Sequence, residues 1–481
     1  MKKRIKHLAS YVFFLASIIS AIGCVPHIHQ LPAATETPAF PLLPPPEDDT
    51  IIGIAFSGGG SRAAYFSAAG LEAFARLRLS PQSPSLLERV AYISSVSGGS
   101  VASSYFVMEK PGKKETVLRL DGALTDRYSK FFDVYLETMA SDIQGAVVWR
   151  QFYKIRWLDS NQRATSLAET LDSSFLRGRT FKDLYEREQQ GDAPRLILNT
   201  TVYNNGRRAV MTTLPDPVFE YKFFDELQKE LEAAPHGSKA LPVALKNAQE
   251  ALIPVTFEDL GADGRKVPLS MAVAASASFP PLIGPITIQV QGDPKHIYHH
   301  LGDGGLFDNQ GTESLVQLLL QRNKENKKKR ALVIAFDSSF PFWGKIDALN
   351  HYPNGFKIFA NDPGRIVGIM EQRANAYQSA IWHILQNQNI LLPDDNTIKV
   401  IPIRHTDDVW PVDLKKHIPQ ECAGDADSLK EKKDVIQRLA LMPTLFELKS
   451  ECDRALLKES AKLAVEQHKD EILGFLNQKP K

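Results

Sequence analysis

The stretch that decides the fold is Ile51-Ile52-Gly53-Ile54-Ala55-Phe56-Ser57-Gly58-Gly59-Gly60-Ser61-Arg62-Ala63-Ala64. An apolar run of strand length leads into three glycines, and the glycines open a segment with helical spacing (Ala64, Ala68, Leu71, Phe74, Leu77). Strand, glycine loop and helix together aim successive backbone N–H groups at one point, where the helix N-terminus favours negative charge. One βα unit further on comes Tyr92-Ile93-Ser94-Ser95-Val96-Ser97-Gly98-Gly99-Ser100. There Ser97 stands in a strand-to-helix turn among small residues, the setting an exposed nucleophile needs. Alternating β and α elements of this kind predict a mostly parallel sheet with helices on both faces.

Downstream of these two loops, residues 108–190 read as a helical insertion. It holds one aromatic stripe at Tyr128, Phe131, Phe132 and Tyr135 and a second cluster at Trp149, Phe152, Tyr153 and Trp157. Such stripes are either core packing or, in an insertion that follows a nucleophile turn, surfaces that meet lipid. Strand signals return at Arg195–Thr201 and Ala209–Thr213 around Asn204-Asn205-Gly206, which predicts a hairpin. Residues 222–253 read as a polar helix. The small-residue helix Met271–Ser278 is stopped by Phe279-Pro280-Pro281. A third key stretch, His299-His300-Leu301-Gly302-Asp303-Gly304-Gly305, is an extended approach that ends in an acid and two glycines. Ala331–Asp337 and Thr397–Ile403 read as further strands, 355–390 as helix, and the chain from Asp413 onward as helical and charged.

Toward the N-terminus, a basic segment (Met1–Lys6), an apolar segment (Leu8–Ile22) and Ala21-Ile22-Gly23-Cys24 follow the layout of an export signal. The last four residues resemble a bacterial lipobox, with Cys24 as the lipidated first residue of the mature chain; an uncleaved anchor is the other reading. Either way the expectation is an exported chain tethered to a membrane of the bacterial cell envelope. Val25 lacks the acidic character that holds many lipoproteins in an inner membrane, which favours the outer membrane in a Gram-negative source. Residues 25–49 are Pro-rich and predict an extended spacer. The expected organisation is therefore a signal peptide at 1–24, a linker at 25–49, a catalytic body at 50–410 with its insertion at 108–190, and a helical C-terminal extension at 411–481.

The balance of the 481 residues excludes several function classes. Lys and Arg number 57 against 56 Asp and Glu, a net charge of +1, so no basic excess points to nucleic acid. There are only 3 cysteines, with no metal-ligand spacing, so neither a metal nor a cofactor is expected. Once Cys24 is set aside, Cys422 and Cys452 are the remaining pair. In an oxidising compartment they form a disulfide or stay as two buried thiols. Ser57-Gly58-Gly59-Gly60 lacks the Gly-Lys-Ser/Thr ending of a nucleotide phosphate loop.

Chemically, the pieces permit acyl transfer. Ser97 supplies the nucleophile and Gly58, Gly59 and Gly60 supply N–H donors for an oxyanion. No histidine occupies a convincing late loop among His299, His300 and His405, although His405 follows the last strand and offers a Ser-His-Asp alternative. Asp303 is the better base, acting directly on Ser97 in a water-poor setting that raises its basicity.

Taken in order, Gly58-Gly59-Gly60-Ser61-Arg62, the Ser97 turn, Ala275-Ser276-Ala277-Ser278-Phe279-Pro280 and Asp303-Gly304-Gly305 resemble the patatin-like phospholipase family across about residues 51–340. The first two stretches also look like the related cytosolic phospholipases of animals. The resemblance implies a three-layer α/β/α hydrolase with a mostly parallel central sheet, a Ser97–Asp303 dyad and a glycine oxyanion loop. It also implies a basic residue beside that loop at Arg62, which meets either a substrate phosphate or a carboxylate. The sequence departs from the family pattern at Ser95, where the nucleophile motif begins with glycine, and at Ala63. The expected activity is hydrolysis of fatty-acyl esters of phospholipids or lysophospholipids, with lipid as substrate and the membrane as partner. The alternative is a noncatalytic lipoprotein that keeps this fold to bind lipid or a partner.

Overall fold

The computed structural model describes residues 28–35, 39–44, 48–154, 156, 159–222, 240–279, 283–325, 330–339, 373–374, 376, 398–414, 417–444 and 447–478. The strands are β1 (His29–Leu31), β2 (Thr50–Phe56), β3 (Val90–Ser95), β4 (Arg195–Val202), β5 (Arg207–Thr212), β6 (Ile286–Val290), β7 (His299–Asp303), β8 (Arg330–Asp337) and β9 (Ile398–Arg404). They form one nine-stranded sheet in the order β1-β6-β7-β4-β3-β2-β8-β9, with β5 beside β4. The pairs β1–β6, β2–β3, β2–β8, β3–β4 and β8–β9 are parallel, while β7 runs antiparallel to both β4 and β6.

The apolar run of the opening stretch is a central strand covered on both faces, which is why it does not alternate. Ile52, Ile54 and Phe56 face one core with α1 (Gly60–Phe74) and α2 (Gly98–Glu109). Ile51 and Ala55 face a second core with Leu315, Leu318 and Leu319 of an α-helix at Thr312–Glu325. Gly53 belongs to this side because a Cβ there would lie 2.9 Å from the Leu315 side chain. The insertion supplies α3 (Asp126–Ala140), α4 (Ile143–Tyr153), α5 (Ser160–Leu171) and α6 (Phe181–Gln190). After it come α7 (Ala240–Leu252), α8 (Leu269–Ser276), α9 (the Thr312–Glu325 helix), α10 (Lys432–Leu441) and α11 (Glu451–Asn477).

Two expectations are corrected or divided. The Pro-rich segment is not simply a spacer: β1 pairs with β6, Leu31 and Phe40 are buried, and the Tyr185 hydroxyl donates to the Pro41 carbonyl at 3.0 Å. Composition under-reads it because a three-residue edge strand and one packed ring need little apolar content. The aromatics divide between the two readings: Tyr128, Phe131, Phe132 and Tyr135 are core, whereas Trp149, Phe152 and Tyr153 are exposed. The helical C-terminal extension is present and packs on the body. Helix α11 lies along α1, Lys458 pairs with Glu72 at 3.0 Å, and a disulfide joins Cys422 to Cys452. Cys24, Trp157, Pro280, Pro281 and nearly all of 355–390 lie outside the described residues. Among the described residues no helix is long and apolar enough to cross a membrane.

Candidate active site

The two glycine loops lie against each other because β2 and β3 are neighbours in parallel register, Phe56 opposite Ser95. The Val96 N–H donates to the Phe56 carbonyl at 3.0 Å, tying the turns together. A Cβ on Gly98 would stand 2.0 Å from the Gly60 carbonyl oxygen, so the approach of the two helix N-termini is available only to glycine there. Gly59 precedes α1 with φ +141°, a backbone state that side chains rarely adopt.

Ser97 has φ 53° and ψ −121°, a strained combination for a residue with a side chain. Neighbouring bonds hold that strain. Its N–H donates to Ser276 Oγ at 3.1 Å, and Ser276 Oγ donates to the Asn199 carbonyl at 2.6 Å. The Ser100 hydroxyl lies 2.8 Å from Ser276 Oγ, and Asn199 Nδ2 donates to Ser94 Oγ and the Ser95 carbonyl, both at 2.9 Å. The Ser97 main chain is thus anchored in a buried polar network.

Asp303 reaches the same place from the other direction. It ends β7, opposite Thr200 of antiparallel β4. The end of α8 positions it: the Asp303 N–H donates to the Ser278 carbonyl and the Gly304 N–H to the Ser276 carbonyl, each at 3.2 Å. One helix end therefore brackets both residues, Ser97 through the Ser276 side chain and Asp303 through main-chain carbonyls. The Asp303 carboxylate is 1% exposed. Oδ1 accepts from the Gly305 N–H at 2.8 Å, whereas Oδ2 is buried with no formed hydrogen bond. Burial pushes its pKa up to about 7, with the Gly305 N–H and the Ser97 hydroxyl pulling in the opposite direction. A buried carboxylate of this basicity beside a serine hydroxyl has the properties of a general base.

The N–H groups of the glycine loop are not all open. Gly58 is corrected: its N–H already donates to the Asn309 carbonyl at 2.9 Å. Gly59 and Gly60 have no such partner among the described residues, and the same holds for Gly98, the residue after Ser97. Gly60 and Gly98 begin α1 and α2, so their N–H groups are the unpaired ends of two helices. Nothing in the spacing of the sequence marked Gly98 out. Its position after Ser97 was the available signal.

Arg62 points into the body, and its guanidinium donates to main-chain carbonyls. The side chain is fully buried; Nε and Nη2 donate to the Ser338 carbonyl at 3.2 and 2.7 Å, and Nη1 donates to the Met442 carbonyl. The same Ser338 carbonyl backs Gly59, where a Cβ would stand 2.6 Å away. Arg62 therefore braces the glycine loop from behind. His405 lies beside this brace. It is buried edge-on to the Phe66 ring, and desolvation together with Arg62 holds its pKa well below the usual histidine range. His300 Nδ1 bonds Thr287 Oγ1 at 2.9 Å, and His299 lies four residues before Asp303 on the same strand.

The family model for patatin-like phospholipases matches residues 54–316. None of the curated proteins compared with the chain matches it. Among solved structures, human GIVD cytosolic phospholipase A2 is similar at 13% identity and TM-score 0.46, over 89% of this chain and 60% of that one. The same human enzyme in complex with methyl gamma-linolenyl fluorophosphonate gives 14% identity and TM-score 0.42, over 91% and 60%. VipD from Legionella pneumophila gives 11% identity and TM-score 0.26, over 86% and 70%. This chain thus spans 60% of the length of the human enzyme.

Proposed function

The chain belongs to the patatin-like phospholipase family, and from that premise we propose that it is a serine acyl hydrolase of phospholipids or lysophospholipids working through Ser97 and Asp303. The observation that carries this reading is the Asp303 carboxylate, buried, pushed up to about 7 and with Oδ2 left without a formed bond. In the proposed reaction Ser97 Oγ attacks the ester carbonyl while its proton passes to Asp303. The tetrahedral oxyanion accepts from Gly59, Gly60 and Gly98 N–H groups, which are fixed before substrate arrives and need no reorganisation. The alcohol leaves with the proton from Asp303, giving an acyl-enzyme. Asp303 then takes a proton from water, the hydroxide attacks the acyl carbonyl, and the fatty acid is released as Ser97 regains its proton.

Export and tethering through a lipidated Cys24 complete the proposal, their support being the basic, apolar and small-residue order of residues 1–24. Two measurements test the chemistry. A fluorophosphonate probe should label wild-type protein at Ser97, and Ser97→Ala should lower ester hydrolysis by at least about a thousandfold with its fold unchanged by circular dichroism. Unlabelled Ser97, or substantial turnover by Ser97→Ala, would leave the noncatalytic lipid-binding reading in its place.

A further inference from the structure

Helix α4 wears its apolar residues on the wrong side for a helix of a water-soluble body. Gly145, Val148, Trp149, Phe152 and Tyr153 share one stripe at helical spacing, and all five are exposed. Trp149, Phe152 and Tyr153 are 69%, 72% and 75% exposed. The other side of the helix is spoken for: Ile143 and Val147 are buried, and Arg150 donates to Thr170 Oγ1 at 3.0 Å and Ser173 Oγ at 2.6 Å. Just past its end, Lys154 pairs with Glu169 of α5 at 2.7 Å. These ties fix the rotation of α4 about its own axis, so the aromatic stripe is held outward. Contiguous exposed aromatics of this kind mark an interaction surface.

We propose that this stripe docks on the surface of a phospholipid bilayer, the same membrane to which the N-terminal segment tethers the chain. The residue types fit that occupant: Trp and Tyr combine a large apolar ring with a polar edge and settle at the headgroup boundary, and Phe adds apolar area below it. Residues 143–153 include no Asp or Glu, so the helix presents no acid to repel phosphate headgroups. The point where the chain enters the described structure is an independent observation. β1 begins at His29, whose Nε2 bonds Thr165 Oγ1 of α5 at 3.1 Å, and α5 is the helix on which α4 packs. Cys24 lies four residues before Ile28, so its Cα stays within about 14 Å of the entry point. Tether and aromatic stripe therefore belong to the same pair of helices. α5 in turn packs on α8, the helix whose end brackets Ser97 and Asp303. Two attachments on one helix pair restrict how the body rotates over the lipid, which a flexible tether alone does not do. The choice of lipid as occupant rests on the proposed acyl hydrolase activity and on the reading of Cys24.

The test uses the full chain reconstituted in phosphatidylcholine vesicles, with or without bromine on the acyl chains. Trp149 emission, taken as the difference between wild type and Trp149→Phe, should fall about twofold or more in the brominated vesicles. In the same vesicles Trp149→Ala/Phe152→Ala/Tyr153→Ala should hydrolyse bilayer lipid about tenfold more slowly, while turnover of a soluble short-chain ester stays within about twofold. Equal Trp149 emission in the two vesicle types overturns the proposal. It is equally overturned if the triple variant alters only the oligomeric state, which would assign the stripe to a second copy. If wild type hydrolyses neither ester but Trp149 is still quenched, the hydrolase reading fails and the docking surface stands.

Discussion

Asp303 and Arg62 are both charged, both sealed from solvent and both taken from motifs that point to chemistry, yet the structure uses them in opposite ways. Arg62 spends its guanidinium on the carbonyls of Ser338 and Met442. Asp303 accepts from Gly305 on one oxygen and leaves the other without a formed bond. A buried charge whose hydrogen-bonding capacity is filled holds structure together; one with a lone pair left over is available to take a proton. Burial by itself does not separate the two cases. The inventory of partners does.

The largest expected effect that sharpens this contrast is on the Asp303 side. Asp303→Asn removes the base and should lower turnover by about a thousandfold or more. Because burial raises the carboxyl from 3.8 to about 7, the folded protein binds more protons than the unfolded chain between those values. Its stabilising contribution is present in full below pH 3.8 and is lost as pH rises through 7. Asp303→Asn should therefore be more stable than wild type at pH 8, by on the order of 1–3 kcal/mol in denaturant unfolding. The same group predicts a wild-type rate that climbs with pH through an apparent pKa near 7, since only the ionised carboxylate accepts the Ser97 proton. A flat profile, or a variant that is both inactive and destabilised, would break the contrast.

Next in size is the Arg62 side. Arg62→Met leaves two carbonyls without their donor and should cost about 2–5 kcal/mol of stability. The glycine loop should lose its backing with it, so kcat falls in step with the melting temperature and KM for lipids with and without phosphate shifts alike. Selective loss of binding to phosphate-bearing substrates would return Arg62 to the substrate side. The smallest effect belongs to the bracket between the two regions. Ser276→Ala deletes the acceptor of the Ser97 N–H while leaving dyad and oxyanion donors in place, and should lower kcat about tenfold with KM unchanged. An equal fall in stability with unchanged kcat would reduce Ser276 to packing.

What was legible in the sequence follows from how local each signal is. The apolar run before Gly58, the small residues around Ser97 and the glycines after Asp303 are contiguous in the chain, so the loops and the sheet they serve are readable from neighbours alone. The partners of Arg62 lie 276 and 380 positions away, and they are main-chain carbonyls, which carry no residue signature. Ser276 is hidden for a different reason. An Ala/Ser helix reads the same whether its hydroxyls pack or bond, and only the meeting of α8 with the Ser97 turn decides. The two aromatic stripes of the insertion share helical spacing, but one is covered by α2 and the other is open; coverage is a property of the tertiary arrangement, not of either stripe.

The brace behind the glycine loop also carries a temporal consequence. Ser97, the glycines and Asp303 leave the ribosome well before Met442 and the helix that runs along α1. Until those residues arrive, the Arg62 guanidinium lacks one of its carbonyls and α1 lacks its outer neighbour. The donors at the head of α1 are then held by a helix with one side uncovered. A chain that ends before Met442 should therefore hold the glycine loop less firmly than one that carries the brace.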